Sequence, residues 1–212
     1  MTHTIIDTGG SRSFPSDHSL LSSAGDDGHT VVVIGNQAGQ YLAEAPQGKT
    51  AIVIELGMEC LGTHTGEAGG DEGSNVLGFA RFRLGEADPT DLIELVRQPH
   101  TSSEAIEAAR AVFEGAGLVV AVCSDFAGRI VDRLIRPYYN EALRQLDQGL
   151  ASAKDMDLTL KLGLGYPEGP IELLERTGLS HHFEVAQSLF EAYGEPAYSP
   201  ARRARVAMLR GE

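Results

Sequence analysis

Two charged residues stand at the start of the stretch "SDFAGRIVDRLIRPYYNEAL", residues 124–143: Arg129 and Asp132. Their i, i+3 spacing suits an ion pair on one helix face, worth about 0.2–0.5 kcal/mol. The alternative is a binding site built on Arg129, Asp132 and the nearby Arg133. Both readings stand at this point. A second constellation runs from Gly35 to Gln40. A dinucleotide fingerprint needs glycines at its first, third and sixth positions, for a tight turn, close approach to the pyrophosphate and helix packing. In "GNQAGQ" only the first position, Gly35, matches. Glu55 ends the next β-branched run, where a ribose-binding acid would sit, so Gly35 and Glu55 are the candidate cofactor contacts.

Other chemistry-bearing types are less productive. His181 and His182 are adjacent, so on a helix they point about 100° apart; with no third ligand in register they read as surface or capping residues, and no metal is expected. Cys60 and Cys123 lie far apart and fit no metal spacing, which implies free thiols in a reducing compartment. Tyr138 and Tyr139 read as packing residues. Arg202, Arg203, Arg205 and Arg210 read as a solvated face near a helix end, complementing its dipole.

The elements that must position these residues can be read from periodicity. Residues 1–28 are rich in Ser, Gly and Asp, and imply a loosely packed arm with one short strand at Thr4–Asp7. From residue 29, "HTVVVIG", "QAGQYLAEA" and "KTAIVIELG" read as strand, helix, strand with short links, a parallel α/β unit. The Gly- and acid-rich segment from Gly57 to Ser74 reads as a loop. "NVLGFARF" and "DLIELV" are strands, "TSSEAIEAARAVFEGAG" is a helix with Ile106, Ala109, Val112 and Phe113 on one face, and "LVVAVCS" is a buried strand. Beyond Gly128 the chain is helical: Pro137 kinks the first helix, Ser152 and Asp155 open the next, Pro170 begins another that Gly178 stops, and Ser180 caps the one ending at Gly194.

The chain has 212 residues, no Trp and a formal net charge of -13. That charge repels polyanions at long range and argues against nucleic acid and anionic membrane as partners. A coenzyme A ester could still be held by a local group of arginines, since close contacts are set by neighbours. No apolar run reaches the length of a membrane span, and the start lacks the order of a signal peptide, so a cytoplasmic address is expected.

The stretch from Ser124 through "GLGYPEGPIELLE" (163–175) to "YGEPAYSP" resembles the C-terminal helical domain of the L-3-hydroxyacyl-CoA dehydrogenases, a 6-phosphogluconate-dehydrogenase-C-terminal-like fold. "NVLGFARF", "DLIELV" and "TSSEAIEAA" resemble the last part of that family's nucleotide-binding domain. The resemblance implies an α/β plus all-α protein: arm 1–28, a shortened Rossmann-like parallel unit 29–124, and a helical domain 125–212. The α/β part looks too short for the six-stranded domain of the complete enzymes. It is similar to the truncated fragment before the second helical domain of duplicated 3-hydroxybutyryl-CoA dehydrogenases of phenylacetate-type catabolism.

The family reaction is NAD-dependent oxidation of the 3-hydroxyl of an acyl-CoA thioester, with a His base held by a Glu. Within the resemblance, the "G-x-H-F" strand corresponds to Gly78-Phe79-Ala80-Arg81, which puts Ala80 at the base position. Glu94 matches the partner Glu, with a longer spacing from position 80. Asp132-Arg133 stands where the family has Asn-Arg, Arg129 where it has an aromatic, and Ser74-Asn75 is the one echo of the "S-N-T-S" element. The catalytic candidates are therefore Glu94 and Asp132. The implied partners are an acyl-CoA thioester, a second copy of the chain and a complete dehydrogenase. The expected function is an acyl-CoA-binding and dimerisation module with degenerate catalytic and NAD sites. The alternative is an active NAD-dependent dehydrogenase whose base, such as His100, comes from elsewhere.

Overall fold

The structure is a computed structural model and describes residues 2–44 and 47–211. It divides into two compact units, residues 1–83 with 89–129, and residues 84–88 with 130–212. The helical unit thus begins after Arg129 and also takes in the short excursion at 84–88.

In the first unit, six short runs become strands: β1 His3–Asp7, β2 Thr30–Ile34, β3 Ala51–Glu55, β4 Val76–Arg81, β5 Leu92–Arg97 and β6 Val119–Ser124. They form one sheet in the order β1-β2-β3-β4-β5-β6. All neighbours are parallel except β4 and β5, which run antiparallel. Every residue of β2 and β3 is buried, the mark of strands covered on both faces. One face packs Val32, Val53, Phe79, Ile93 and Leu95 against Ala109, Val112 and Phe113 of helix α3, Ser103–Gly115. The other face carries Val31, Val33, Ile52, Ile54 and Leu61.

Six strands fit into a segment that looked too short because the connections have shrunk. Helices α1 (Ser19–Ser22) and α2 (Gly62–Thr65) have four residues each. A five-residue 3-10 turn, Gln40–Glu44, replaces the helix expected after β2. The stretch expected to be a loose arm with one short strand supplies that strand as edge β1 and also puts Phe14 and Leu20 into the core. The connections after β1 and β2 advance the same way across the sheet, yet Leu20 packs on the α3 face while Tyr41 and Leu42 pack on the other. The two crossovers are therefore of opposite hand, so one of them departs from the nearly universal right-handed rule.

The second unit contains α4 (Val131–Asp147), α5 (Ala153–Leu164), α6 (Pro170–Thr177), α7 (Leu179–Tyr193) and α8 (Arg202–Arg210). Ser152 Oγ accepts the Asp155 amide at 3.1 Å and opens α5. Asp157, buried on α5, accepts the Ile171 and Glu172 amides at 2.9 Å each and so holds the first turn of α6. A Cβ on Gly169 would lie 2.2 Å from the Asp157 side chain, which is why "EGP" precedes α6. Gly178 (φ 99) ends α6 and begins α7 at Leu179, one residue before the expected Ser180 cap. Arg202 and Arg203 lie in the first turn of α8, where positive charge opposes the dipole; both are bound to Asp147 instead. Among the described residues no helix is long and apolar enough to cross a membrane.

Candidate functional site

Glu94 is the acid in the middle of the sheet. On β5 it is directly opposite Ala80 of β4 and, on its other side, Ala121 of β6. Cross-strand partners point to the same face, so its side chain, 2% exposed, rises between two methyl groups. The spacing from position 80 that looks too long in sequence is absorbed by the β4–β5 connection, and the register is direct.

The charge facing Glu94 is Arg129. Its Nε lies 3.6 Å from Glu94 Oε2, with side chains 5% and 2% exposed. That is an ion pair beyond hydrogen-bond length, and Nε and Nη1 are buried with no hydrogen-bond acceptor. Each such orphaned donor costs about 1–3 kcal/mol. Arg129 is also the one described non-glycine residue with positive φ, at 49°, directly after Gly128 at 72°. A bulky residue in that region adds about 1–3 kcal/mol of strain. Nearby, burial, followed by the charge of Glu94, pushes the Cys123 thiol up to about 11. Cys60 is raised too, first by burial and then by Asp125. Both cysteines are free, and neither is an activated nucleophile.

The expected Arg129–Asp132 pair does not form, because each residue finds a partner in its own unit. Asp132 accepts from Arg136 Nε at 2.7 Å, one helical turn on. From there a buried polar chain continues. Arg136 Nη1 meets His182 Nδ1 at 3.1 Å, His182 Nε2 meets Asn140 Oδ1 at 3.0 Å, and Asn140 Nδ2 donates to the carbonyls of Ala197 and Tyr198 at 3.2 Å. A guanidinium only donates, so His182 Nδ1 must accept, and the ring carries its proton on Nε2 and gives it to Asn140. Burial, followed by the Arg136 charge, lowers the His182 pKa to about 3, so the ring is neutral. His182 is thus a core residue, contrary to its reading as surface or cap. His181 is half-buried beside Glu86 and Glu184.

The signal for this chain was present in the sequence. Asp132, Arg136 and Asn140 recur at i, i+4 and i+8, a polar stripe on the buried side of α4. Arg133, the other candidate substrate contact, is half-buried with its guanidinium 4.8 Å over the Tyr193 ring. Tyr138 packs at a tilt against Tyr139 and meets Tyr166 edge-on.

The cofactor candidates bind each other. Glu55, 8% exposed, accepts the Gly35 amide on Oε2 and the Ser13 amide on Oε1, both at 2.7 Å. A Cβ on Gly35 (φ 101) would sit 2.4 Å from the Gly9 carbonyl. Gly35 lets two loops close on each other, and Glu55 fastens them. His100 is exposed beside Asp71 at 3.8 Å. Asn75 donates to the Lys49 carbonyl, and Ser74 Oγ accepts the Val76 amide. Among the described residues no group of His, Cys, Asp and Glu could hold a metal.

One cavity of about 550 Å³ opens beyond the carboxyl ends of β1 and β2, lined by Asp7, Ser11, Arg12, Asn36 and Arg83 among others. Comparison with known proteins bears on the helical unit first: residues 128–211 match the family described as 3-hydroxyacyl-CoA dehydrogenase, C-terminal domain. Over those residues the chain is similar to the 3-hydroxyacyl-CoA dehydrogenases. Similar proteins include human mitochondrial hydroxyacyl-coenzyme A dehydrogenase, 42% identical over 111 residues, covering 52% of this chain and 35% of that protein. A 3-hydroxybutyryl-CoA dehydrogenase of Bradyrhizobium diazoefficiens is 34% identical over 110 residues, covering 52% and 38%. The chain thus spans little more than a third of the length of these 3-hydroxyacyl-CoA dehydrogenases. Its fold is that of the Escherichia coli 3-hydroxybutyryl-CoA dehydrogenase structure, with TM-score 0.72, 24% identity, and coverage of 92% of this chain and 41% of that one. The (S)-3-hydroxybutyryl-CoA dehydrogenase of Ralstonia eutropha gives TM-score 0.70 at 24% identity, covering 86% and 66%.

Proposed function

We propose that this chain is an acyl-CoA-binding and dimerisation member of the 3-hydroxyacyl-CoA dehydrogenase family that does not transfer hydride, acting in acyl-CoA catabolism of the β-oxidation or phenylacetate type, alone or beside a complete dehydrogenase. The observation that carries this reading is the pairing of Glu94 with Ala80 across β4 and β5 and with Arg129 above them. A 3-hydroxyl is oxidised only if its proton is taken, a step to which a positioned base contributes about 10²- to 10⁴-fold. Alanine has no acceptor, and arginine stays protonated in proteins. Asp132, the other acid, is engaged by Arg136.

The residues at the cofactor candidates do not fit NAD. The Gly35 turn is closed against Gly9 and both Glu55 oxygens hold backbone amides. Arg12 and Arg83, lining the cavity beyond β1 and β2, are the local cations that would offset the net charge of -13 for a phosphate-bearing coenzyme A.

Dimerisation is supported by the helical unit. Of the twelve residues of α5 only Asp157 is buried, while Leu158, Leu162 and Leu164 are 48%, 79% and 63% exposed and Leu134 of α4 is 71% exposed. Full burial of such a side chain is worth about 1.5–3 kcal/mol, which a second copy would supply on both sides of a two-fold axis. Calorimetric titration with butyryl-CoA and with NAD, together with sedimentation equilibrium, tests the proposal. A dimer that binds butyryl-CoA and not NAD is expected; tight NAD binding, or a monomer indifferent to acyl-CoA, overturns it.

A further inference from the structure

The sheet of the α/β unit has two edges, β1 and β6, and they are finished differently. On β1, Thr8 N–H bonds inward to the Ile34 carbonyl, so in a parallel ladder the odd-numbered residues face out. The outward His3 carbonyl accepts the Gly25 amide at 2.8 Å, Thr4 Oγ1 donates to the Gly25 carbonyl at 2.9 Å, and the strand ends in a charged residue, Asp7. On β6, Val119 N–H bonds the Asp91 carbonyl and Val119 is paired with Leu92. Val119, Ala121 and Cys123 therefore bond inward to β5, while Val120, Val122 and Ser124 turn N–H and C=O outward. Among the described residues no hydrogen bond reaches those outward groups. The run "VVAVCS" carries none of the devices that keep an edge from pairing: it has no charge and no proline, and its register with β5 is unbroken by a bulge. Val119, at its start, is 63% exposed.

The group that completes such an edge is an extended strand, and symmetry and charge say which. Antiparallel alignment of β6 with a second β6, on a two-fold axis at Val122, sets Val122 opposite Val122 and Val120 opposite Ser124. Each of these pairs exchanges both bonds, about six in all, and every outward group is used. β-Branched side chains meet at the axis. No like charges oppose one another along the strands, although each copy brings a net charge of -13. A foreign strand would find neither a charge nor a bulge on β6 to fix its register. We propose that β6 is a self-association edge, through which two copies of this chain join their six-stranded sheets across a two-fold axis. The inference goes beyond the helical-unit contact proposed above and uses a different surface. A six-residue strand buries less than the roughly 1,200 Å² of a stable interface. Dilute chains thus associate through the helical unit alone, and sheets join as concentration rises.

The test removes the helical contact first. The chain carrying Leu158→Glu and Leu162→Glu should sediment as a monomer when dilute and rise toward a dimer with Kd on the order of 0.1–1 mM. On that background Val122→Pro deletes an outward N–H that makes no bond within the sheet, an edge position at which proline is tolerated, and should weaken association at least about tenfold. Val122→Lys sets two ammonium groups face to face and should weaken it as much by a different route. Val122→Thr keeps the shape and the amide and should stay within about twofold of the parent. Hydrogen exchange reads the register: the amides of Val120, Val122 and Ser124 should slow as concentration rises, while those of Ala121 and Cys123 are protected throughout. A mass that stays monomeric to about 1 mM overturns the inference. So does association indifferent to both Val122→Pro and Val122→Lys, or outward amides that exchange equally fast in dilute and concentrated samples. Each of these results leaves the helical-unit dimer standing, because wild-type sedimentation in dilute solution judges that contact separately.

Discussion

The neutral, buried His182 makes the helical unit acid-sensitive in a defined window. Its folded pKa, about 3, lies below the ordinary value of 6.5, so the folded state binds this proton less readily than the unfolded chain. The contribution is therefore fully present above pH 6.5 and is lost progressively as pH falls through 6.5 toward 3. One proton corresponds to about 1.4 kcal/mol per pH unit, or about 2 kcal/mol between pH 6.5 and pH 5. Because His182 is 1% exposed, little of that is screened. With a urea slope of about 2 kcal/mol/M, the unfolding midpoint should fall by about 1 M across the window. His182→Gln is the control: its amide oxygen can accept from Arg136 and its amide nitrogen can donate to Asn140, so the hydrogen-bond pattern survives without a titrating ring. His18, lowered mainly by burial, is common to both proteins, so its effect cancels in the comparison. Midpoints that fall equally in the two proteins between pH 6.5 and 5 would refute the assignment of the acid sensitivity to His182.

Three other perturbations follow from the same contacts. Arg136→Met should cost about 3–5 kcal/mol in urea unfolding, because it leaves Asp132 buried without its ion-pair partner; adding Asp132→Asn should recover part of that loss. Asp157→Ala removes both amide contacts at the start of α6 and should cost about 2–3 kcal/mol, with hydrogen exchange fastest at Ile171 and Glu172. Leu158→Glu with Leu162→Glu should shift sedimentation from dimer to monomer without lowering the far-ultraviolet helix signal.

Most of the fold was legible because its elements carry strong local signals. The β-branched runs became strands, and the Ser102 cap with the apolar face ending in Val112 and Phe113 became α3. Ser152, Pro170 and Gly194 mark the helix ends that they should. The short strand expected at Thr4–Asp7 forms as β1, but the polar composition of the segment after it hid two anchors, Phe14 and Leu20. The helix after Gly35 shrank to a 3-10 turn, a difference of hydrogen-bond span that periodicity over so few residues cannot carry. At the site, residue identities were readable and partners were not. Arg129 and Asp132 are neighbours in sequence, but a left-handed residue between strand and helix sends Arg129 to Glu94, 35 positions earlier, while Asp132 turns to Arg136. His182 looked like surface because a buried neutral histidine is intelligible only with Arg136 and Asn140 in place.

The proposal that the chain does not transfer hydride rests on the Glu94 site having alanine opposite it and arginine above it. The most direct measurement is NADH formation by the purified protein with 3-hydroxybutyryl-CoA and NAD, beside a complete dehydrogenase as positive control. The account predicts no turnover above the protein-free rate. Turnover that copurifies with the chain and falls on Glu94→Gln would contradict it, and would place an unrecognised proton acceptor within reach of that carboxylate.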